Sequence, residues 1–321
     1  MNRRFTVAPM LDWTDRHCRY FHRLLTSQAV LYTEMVTTGA LIHGDTQRYL
    51  QFHAAEHPVA LQLGGSEPKL MAHCAQLAER FGYDEVNINV GCPSERVQKG
   101  AFGACLMAEP ELIAANVRAM QAATTLPVTV KHRIGIDDQE DYSSMRHFVQ
   151  TVAEAGCKTF IVHARKAWLK GLSPKENREI PPLRYELVYQ LKQEYPALEI
   201  IINGGITTLE QCQEHLKHVD GVMVGREAYH NPWLLAQVDP LIYAQPAKFT
   251  KRKAVLEAYL DYIEQQLGLG VPLQHLTKPI LGLFQGLAGA KQFRRHISEQ
   301  AYKKGAGLPV VIQAMNYVQE P

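Results

Sequence analysis

The chain has 321 residues, 46% of them hydrophobic and 21% charged, which excludes wholesale disorder and suits either one barrel-sized domain with an appendage or two mid-sized domains. It contains no run of about 18 apolar residues, so no membrane helix is expected. The formal net charge is only +2, but residues 241–321 hold ten Lys and Arg against five acids while residues 1–240 hold 24 against 27; the basic excess near the end suits a polyanionic partner, the plainer alternative being a solvated helical surface.

Asp12, Asp15, Arg16 and Arg19 stand among the first twenty residues, so neither a secretory leader nor a presequence is expected. Short apolar, β-branched runs then recur along the chain: 5–10, 31–35, 59–65, 85–93, 128–135, 159–165, 199–205 and 221–226. Helix-like stretches lie between them, such as 67–82 and 109–124, each with an acidic residue and a proline near its start. Apolar strands alternating with helices imply parallel strands covered by helices, and eight such units predict an α/β fold of the (β/α)8 TIM-barrel class. The competing doubly wound open sheet lacks its G-x-G-x-x-G after the first strand.

Beyond residue 243 the period changes. Val255, Tyr259, Tyr262, Ile263 and Leu267 share one helical face over 250–268, and Leu273, Leu276, Ile280, Leu283, Phe284 and Leu287 repeat the spacing. Two further helices are expected around Phe293–Ile297 and Val311–Val318. The chain therefore reads as a barrel domain (1–243) and an all-helical domain (244–321), parted where two prolines interrupt 239–249.

In such a barrel the chemistry sits where strands end. Asn87, Asn89, Lys131, His163 and Asn203 are polar groups in otherwise apolar runs, each costing roughly 1–3 kcal/mol to bury without a partner; together they argue for a polar ligand at the mouth. Asn203-Gly204-Gly205 and Gly225-Arg226 close the last two strands, the place where TIM barrels bind phosphate, against the plainer reading of two tight turns. Lys131 suits either a Schiff base or a fixed charge beside an electron-rich ring, and Gln62 and Asn203 suit the edge of a heterocycle. A ring with a phosphate cradle points to flavin mononucleotide (FMN), with a sugar-phosphate substrate as the alternative.

Cys18, Cys74, Cys92, Cys105, Cys157 and Cys212 form no CxxC pair, which fits a reducing cytoplasm. All but Cys92 read as structural. Cys92 lies between Gly91 and Pro93 after the fourth strand, where a thiol over the mouth can give or take a proton. His53 and His57 stand four apart before Pro58 without an HExxH pattern, so no metal is expected. His132 is expected to face the helix layer.

The segments APMLDWTDRHCR, LYTEM, ALQLGG, DEVNINVGCPSERV, VTVKHRIGIDD, FIVHARKAWLKGLSPKENREIPPL, INGGI and DGVMVGREAYHNPW resemble the tRNA-dihydrouridine synthases, most closely their A subfamily, along the whole chain. The resemblance implies an FMN barrel that reduces uridines at positions 20 and 20a of the tRNA D-loop to 5,6-dihydrouridine, with NADPH as reductant. It implies that Pro9, Met10 and Leu11 line the flavin, that Gln62 and Lys131 hold its ring, that Asn203, Gly204, Gly205, Gly225 and Arg226 take its phosphate, that His163 meets both flavin and substrate base, and that Cys92 is the general acid. That chemistry asks for a thiol that stays protonated until used. Asn89, His163 and Arg165 are expected to grip the uracil, with Lys166, Lys170, Lys175, Arg178, Lys291, Arg294 and Arg295 on the RNA backbone. A cytoplasmic monomer is expected. The rival readings are a flavin-barrel dehydrogenase for a free pyrimidine, a Schiff-base barrel on Lys131, and an RNA-binding protein without catalysis.

Overall fold

Eight of the apolar runs become eight parallel strands that close on themselves in chain order. The computed structural model describes residues 1–139 and 142–320. The strands are β1 (Phe5–Val7), β2 (Val30–Thr37), β3 (Val59–Gly64), β4 (Glu85–Val90), β5 (Val128–Arg133), β6 (Thr159–His163), β7 (Glu199–Asn203) and β8 (Gly221–Val224). β8 returns to pair with β1, Thr6 opposite Met223, which completes a (β/α)8 barrel. β1 is shorter than its apolar run because Pro9 has no N–H to give a neighbouring strand. β2 runs longer, through a register irregularity between Tyr32 and Met35.

Alternation along the strands separates two cores. Val86, Ile88 and Val90 of β4 join the large outer cluster beneath the helices, whereas Ala8, Val30, Tyr32, Ala60, Ile161, Ile201 and Met223 form a separate cluster inside the barrel. The expected helices appear as Pro68–Phe81 and Pro110–Ala123, packed on one another outside the sheet. The first ends at Gly82, whose φ of 86° is the left-handed conformation glycine adopts without strain. His132 is buried against Phe148 and Phe160 on the helix side, as expected.

Among the described residues no strand follows Val224. Pro240, the first of the two prolines expected to break the order, instead lies in the first turn of a helix, Val238–Tyr243, where its missing N–H costs nothing. Buried Asp239 in the same turn accepts from the Ser27 N–H at 2.6 Å and from the Thr26 hydroxyl. Helix Arg252–Gly268 buries Val255, Tyr259, Tyr262 and Ile263, as the spacing predicts. The run from Leu273 to Leu287 is not one helix. It forms Leu273–Thr277 and a short 3-10 turn, Lys278–Ile280, and then continues as turns. Pro279 lies in that 3-10 turn, and at Gly282 any Cβ would stand 2.0 Å from the His230 carbonyl oxygen. Helices Ala290–Gln300 and Leu308–Met315 complete the tail.

Tail and barrel share one continuous apolar cluster. Tyr20, on the helix Arg16–Leu25 that follows β1, stacks on Tyr262 with ring centroids 3.9 Å apart, and His17 Nδ1 is 2.7 Å from the Tyr262 hydroxyl. Among the described residues no helix is long and apolar enough to cross a membrane.

Candidate active site

Asn89 ends the inward face of β4. Its Oδ1 accepts from the backbone N–H groups of Gly91 at 3.1 Å and Cys92 at 3.0 Å, a side-chain turn that swings the chain over the barrel mouth. Three further bonds fix that turn: Arg133 Nε to the Gly91 carbonyl at 2.9 Å, the Ala104 N–H to the Cys92 carbonyl at 2.9 Å, and Gln98 Nε2 to the Pro93 carbonyl at 2.8 Å. The Cys92 thiol is half-buried, with Sγ 3.6 Å from Ser94 Oγ. Buried Arg133 also donates to the carbonyls of Lys166 at 2.9 Å and Asn177 at 3.0 Å, and Gln98 reaches the Leu169 carbonyl at 2.8 Å. The loops after β4 and β6 are thus tied together.

Lys131 rises from β5 with Nζ 3.2 Å from Asn203 Oδ1. Burial, and then the Arg133 guanidinium, bring its pKa down to about 7, so its charge is set by what lies against it. Asn203 is itself held by a 2.8 Å bond from Nδ2 to the Met223 carbonyl. Burial first, followed by Arg133, Lys131, Arg165 and Arg178, holds the His163 imidazole well below its ordinary range. It therefore meets a ligand as a neutral donor and acceptor.

Across the mouth, Gly204 and Gly205 have φ of 121° and 69°. A Cβ on Gly204 would fall 2.6 Å from the His163 ring, whereas a Cβ on Gly225 would meet nothing nearer than 3.7 Å and would occupy cleft space. Among the described residues no protein acceptor takes the backbone N–H groups of Gly204, Gly205, Gly225 or Arg226. Arg226 is half-exposed and pairs with Glu179 at 2.7 Å. These four residues, with the Arg226 guanidinium, line one side of the same cleft, where an anion can approach.

One cleft of about 1260 Å³ gathers Pro9, Met10, Leu11, Gln62, Asn89, Cys92, Lys131, His163, Arg178, Asn203, Gly204, Gly205, Gly225 and Arg226. Asn87 is a correction: it lies a rung below the mouth, fully buried between Gln62 and Thr129, and does not line the cleft. Arg165 and Lys166 do not line it either. Arg165 donates to the Pro181 carbonyl, and buried Lys166 places its ammonium 4.1 Å over the Trp168 ring. Arg294 and Arg295 are exposed on the helix Ala290–Gln300, away from the cleft, with Arg295 paired to Glu299 at 2.7 Å. Sequence reasoning missed Glu34, which lines the cleft, accepts from the Asp12 N–H at 2.5 Å and is raised by burial. The signal was available: a carboxylate inside the apolar run of β2. It also missed Arg48, Tyr49 and His275, which extend the wall from barrel to tail.

A closed parallel barrel with a thiol, a depressed lysine and an anion cradle at its carboxyl edge is the layout of a TIM-barrel enzyme. The family model described as dihydrouridine synthase matches residues 6–318, and the chain belongs to that family. It is 62% identical over 316 residues, 98% of this chain and 91% of the relative, to the tRNA-dihydrouridine(20/20a) synthase of Yersinia pestis. To the enzymes of the same name from Shewanella oneidensis and Vibrio cholerae it is 61% identical, over 99% and 97% of this chain and 95% of each relative.

Proposed function

We propose that the chain reduces uridines 20 and 20a in the D-loop of tRNA to 5,6-dihydrouridine, with FMN as cofactor and NADPH as reductant. The observation that carries the reading is the meeting of Cys92, Lys131, His163 and the two glycine-bearing strand ends in one cleft. The names of the relatives support the substrate.

The residues present fit the cofactor. Unpartnered N–H groups at Gly204, Gly205, Gly225 and Arg226, in space that a Cβ at Gly225 would fill, suit its phosphate. Gln62 and Lys131 suit the ring, and Pro9, Met10 and Leu11 an apolar edge. When bound and reduced, the flavin supplies a hydride for C6 of the uracil. Everything else falls to the protein. Addition at C6 leaves charge on the uracil O4 and basicity at C5, and Cys92 holds a proton at Sγ for C5. Asn89 and neutral His163 orient the base, while Lys131 places a positive charge nearby.

The uridine has to leave the folded RNA, at a cost of a few kcal/mol. Arg178 at the cleft edge and Arg294 and Arg295 in the tail (244–321) are assigned to the RNA backbone. NADPH and RNA take turns at the same mouth. The visible absorption spectrum of the purified protein, followed by mass mapping of uridines in tRNA from cells lacking it, tests the reading. A yellow protein and missing dihydrouridine at 20 and 20a are expected. Colourless protein would overturn it, and turnover of a free pyrimidine with tRNA untouched would replace it with the free-base dehydrogenase.

A further inference from the structure

A chain of hydrogen bonds crosses the barrel interior from its floor to the acid loop. At the floor Arg3 Nε is 2.6 Å from Glu85 Oε2, while the hydroxyls of Tyr32 and Thr129 donate to Glu85 Oε1 at 2.7 and 2.6 Å. Asn87 Nδ2 then donates to Thr129 Oγ1 at 2.8 Å, Gln62 Nε2 to Asn87 Oδ1 at 2.8 Å, and Asn89 Nδ2 to Gln62 Oε1 at 2.8 Å. Asn89 Oδ1 receives the N–H groups of Gly91 and Cys92. Glu85, Asn87, Gln62 and Thr129 are at most 1% exposed.

The direction of this chain is fixed twice over. A carboxylate paired with arginine accepts and does not donate, so Thr129 must turn its hydrogen downward and offer its lone pair upward. That orders Asn87, then Gln62, then Asn89. From the other end, two backbone N–H groups can only donate, so Asn89 must face them with its oxygen. That orders the same amides in the same sense. Reversing one rung would set N–H against N–H at the next.

We propose that Glu85, Thr129 and Asn87 are positioning residues: they set the polarity that the Gln62 amide presents to the cleft and hold the turn that carries Cys92. The proposal rests on the flavin-dependent reading for its kinetic consequences, but not for its effect on the thiol. Without the Thr129 hydroxyl the Asn87 amide is freed to turn. The N–H groups of Gly91 and Cys92 still face Asn89 Oδ1, so the ladder is then ordered from one end alone and Gln62, Asn89 and the Cys92 turn are held less firmly.

The test compares full-length holoenzymes carrying Thr129→Val, Thr129→Ser, Asn87→Leu and, as a control of interior packing alone, Ile161→Val. For Thr129→Val and Asn87→Leu, kcat on tRNA should fall by about tenfold to a hundredfold with KM within about twofold. Flavin content should hold, the visible band should shift, and iodoacetamide labelling of Cys92, mapped by peptide mass, should accelerate severalfold. Thr129→Ser should restore wild-type values, and Ile161→Val should lower only the melting temperature. Should Thr129→Val fail to fold, Asn87→Leu carries the same expectation one rung higher. Wild-type kcat and labelling in the ladder variants, or the same losses in Ile161→Val, would overturn the proposal. A colourless wild-type protein would instead sink the flavin reading, and the labelling rates would still decide the ladder.

Discussion

The barrel mouth and the helical tail handle polar groups in opposite ways. At the mouth Gln62, Asn89, Lys131, His163 and Asn203 are buried or half-buried, and nearly all are held by named partners within 3.2 Å. In the tail Lys291, Arg294 and Arg295 stand in solvent, where an ion pair such as Arg295–Glu299 is worth little. Proton delivery to one carbon, the task proposed for the mouth, needs groups fixed before the substrate arrives, and burial supplies that. Holding a polyanion, the task proposed for the tail, needs charge that can adjust, and exposure supplies that. The two regions should therefore fail differently when damaged.

The sharpest break is Cys92→Ala. It should keep the flavin and accept electrons from NADPH, while dihydrouridine formation falls by about a hundredfold to ten-thousandfold; full activity on natural tRNA would remove the acid assignment. Next, Arg226→Ala should weaken FMN binding by roughly tenfold to a hundredfold, the worth of a charged hydrogen bond, as fluorescence titration of the apoprotein would show.

A smaller effect comes from pH. A lysine brought down to about 7 is charged below that value and neutral above it. Affinity for the anionic cofactor should therefore decline as pH rises through 7, by no more than about tenfold per unit. His163, held well below its ordinary range, should not titrate there; affinity that is flat from pH 6 to 9 would refute the lysine's part. Smallest is the tail. Arg294→Ala with Arg295→Ala should leave the flavin spectrum intact and reduce the salt slope of tRNA binding by about two. An unchanged slope would take those residues off the RNA.

Much of the mouth was legible because barrel strands alternate faces and end at the site, so Asn89, Lys131, His163 and Asn203 announce themselves as polar groups in apolar runs. Depth was not legible. Asn87 shares a face with Asn89 one rung back along β4, and only the pairing of β4 with β3 and β5, which brings Gln62 and Thr129 against Asn87, sets the cleft floor above it. Nor could Arg3 be paired with Glu85, 82 residues away, before the sheet closed. In the loop after β6 charge alone does not give a side chain's placement. Lys166 looks like a phosphate contact in sequence, yet its neighbour Trp168 offers an aromatic face to lie against. In the tail, the apolar period from Leu273 to Leu287 is real as burial but not as helix, because Pro279 and the close approach at Gly282 intervene.

The Tyr20–Tyr262 stack and the His17–Tyr262 contact join the tail to the helix that begins just after Met10 and Leu11. The tail is therefore packed onto the barrel at that helix, which makes the join a ruler rather than a leash. On the proposed function, an RNA seated on the tail would be gauged by length, and the nucleotide entering the cleft would be the one lying that far along the fold.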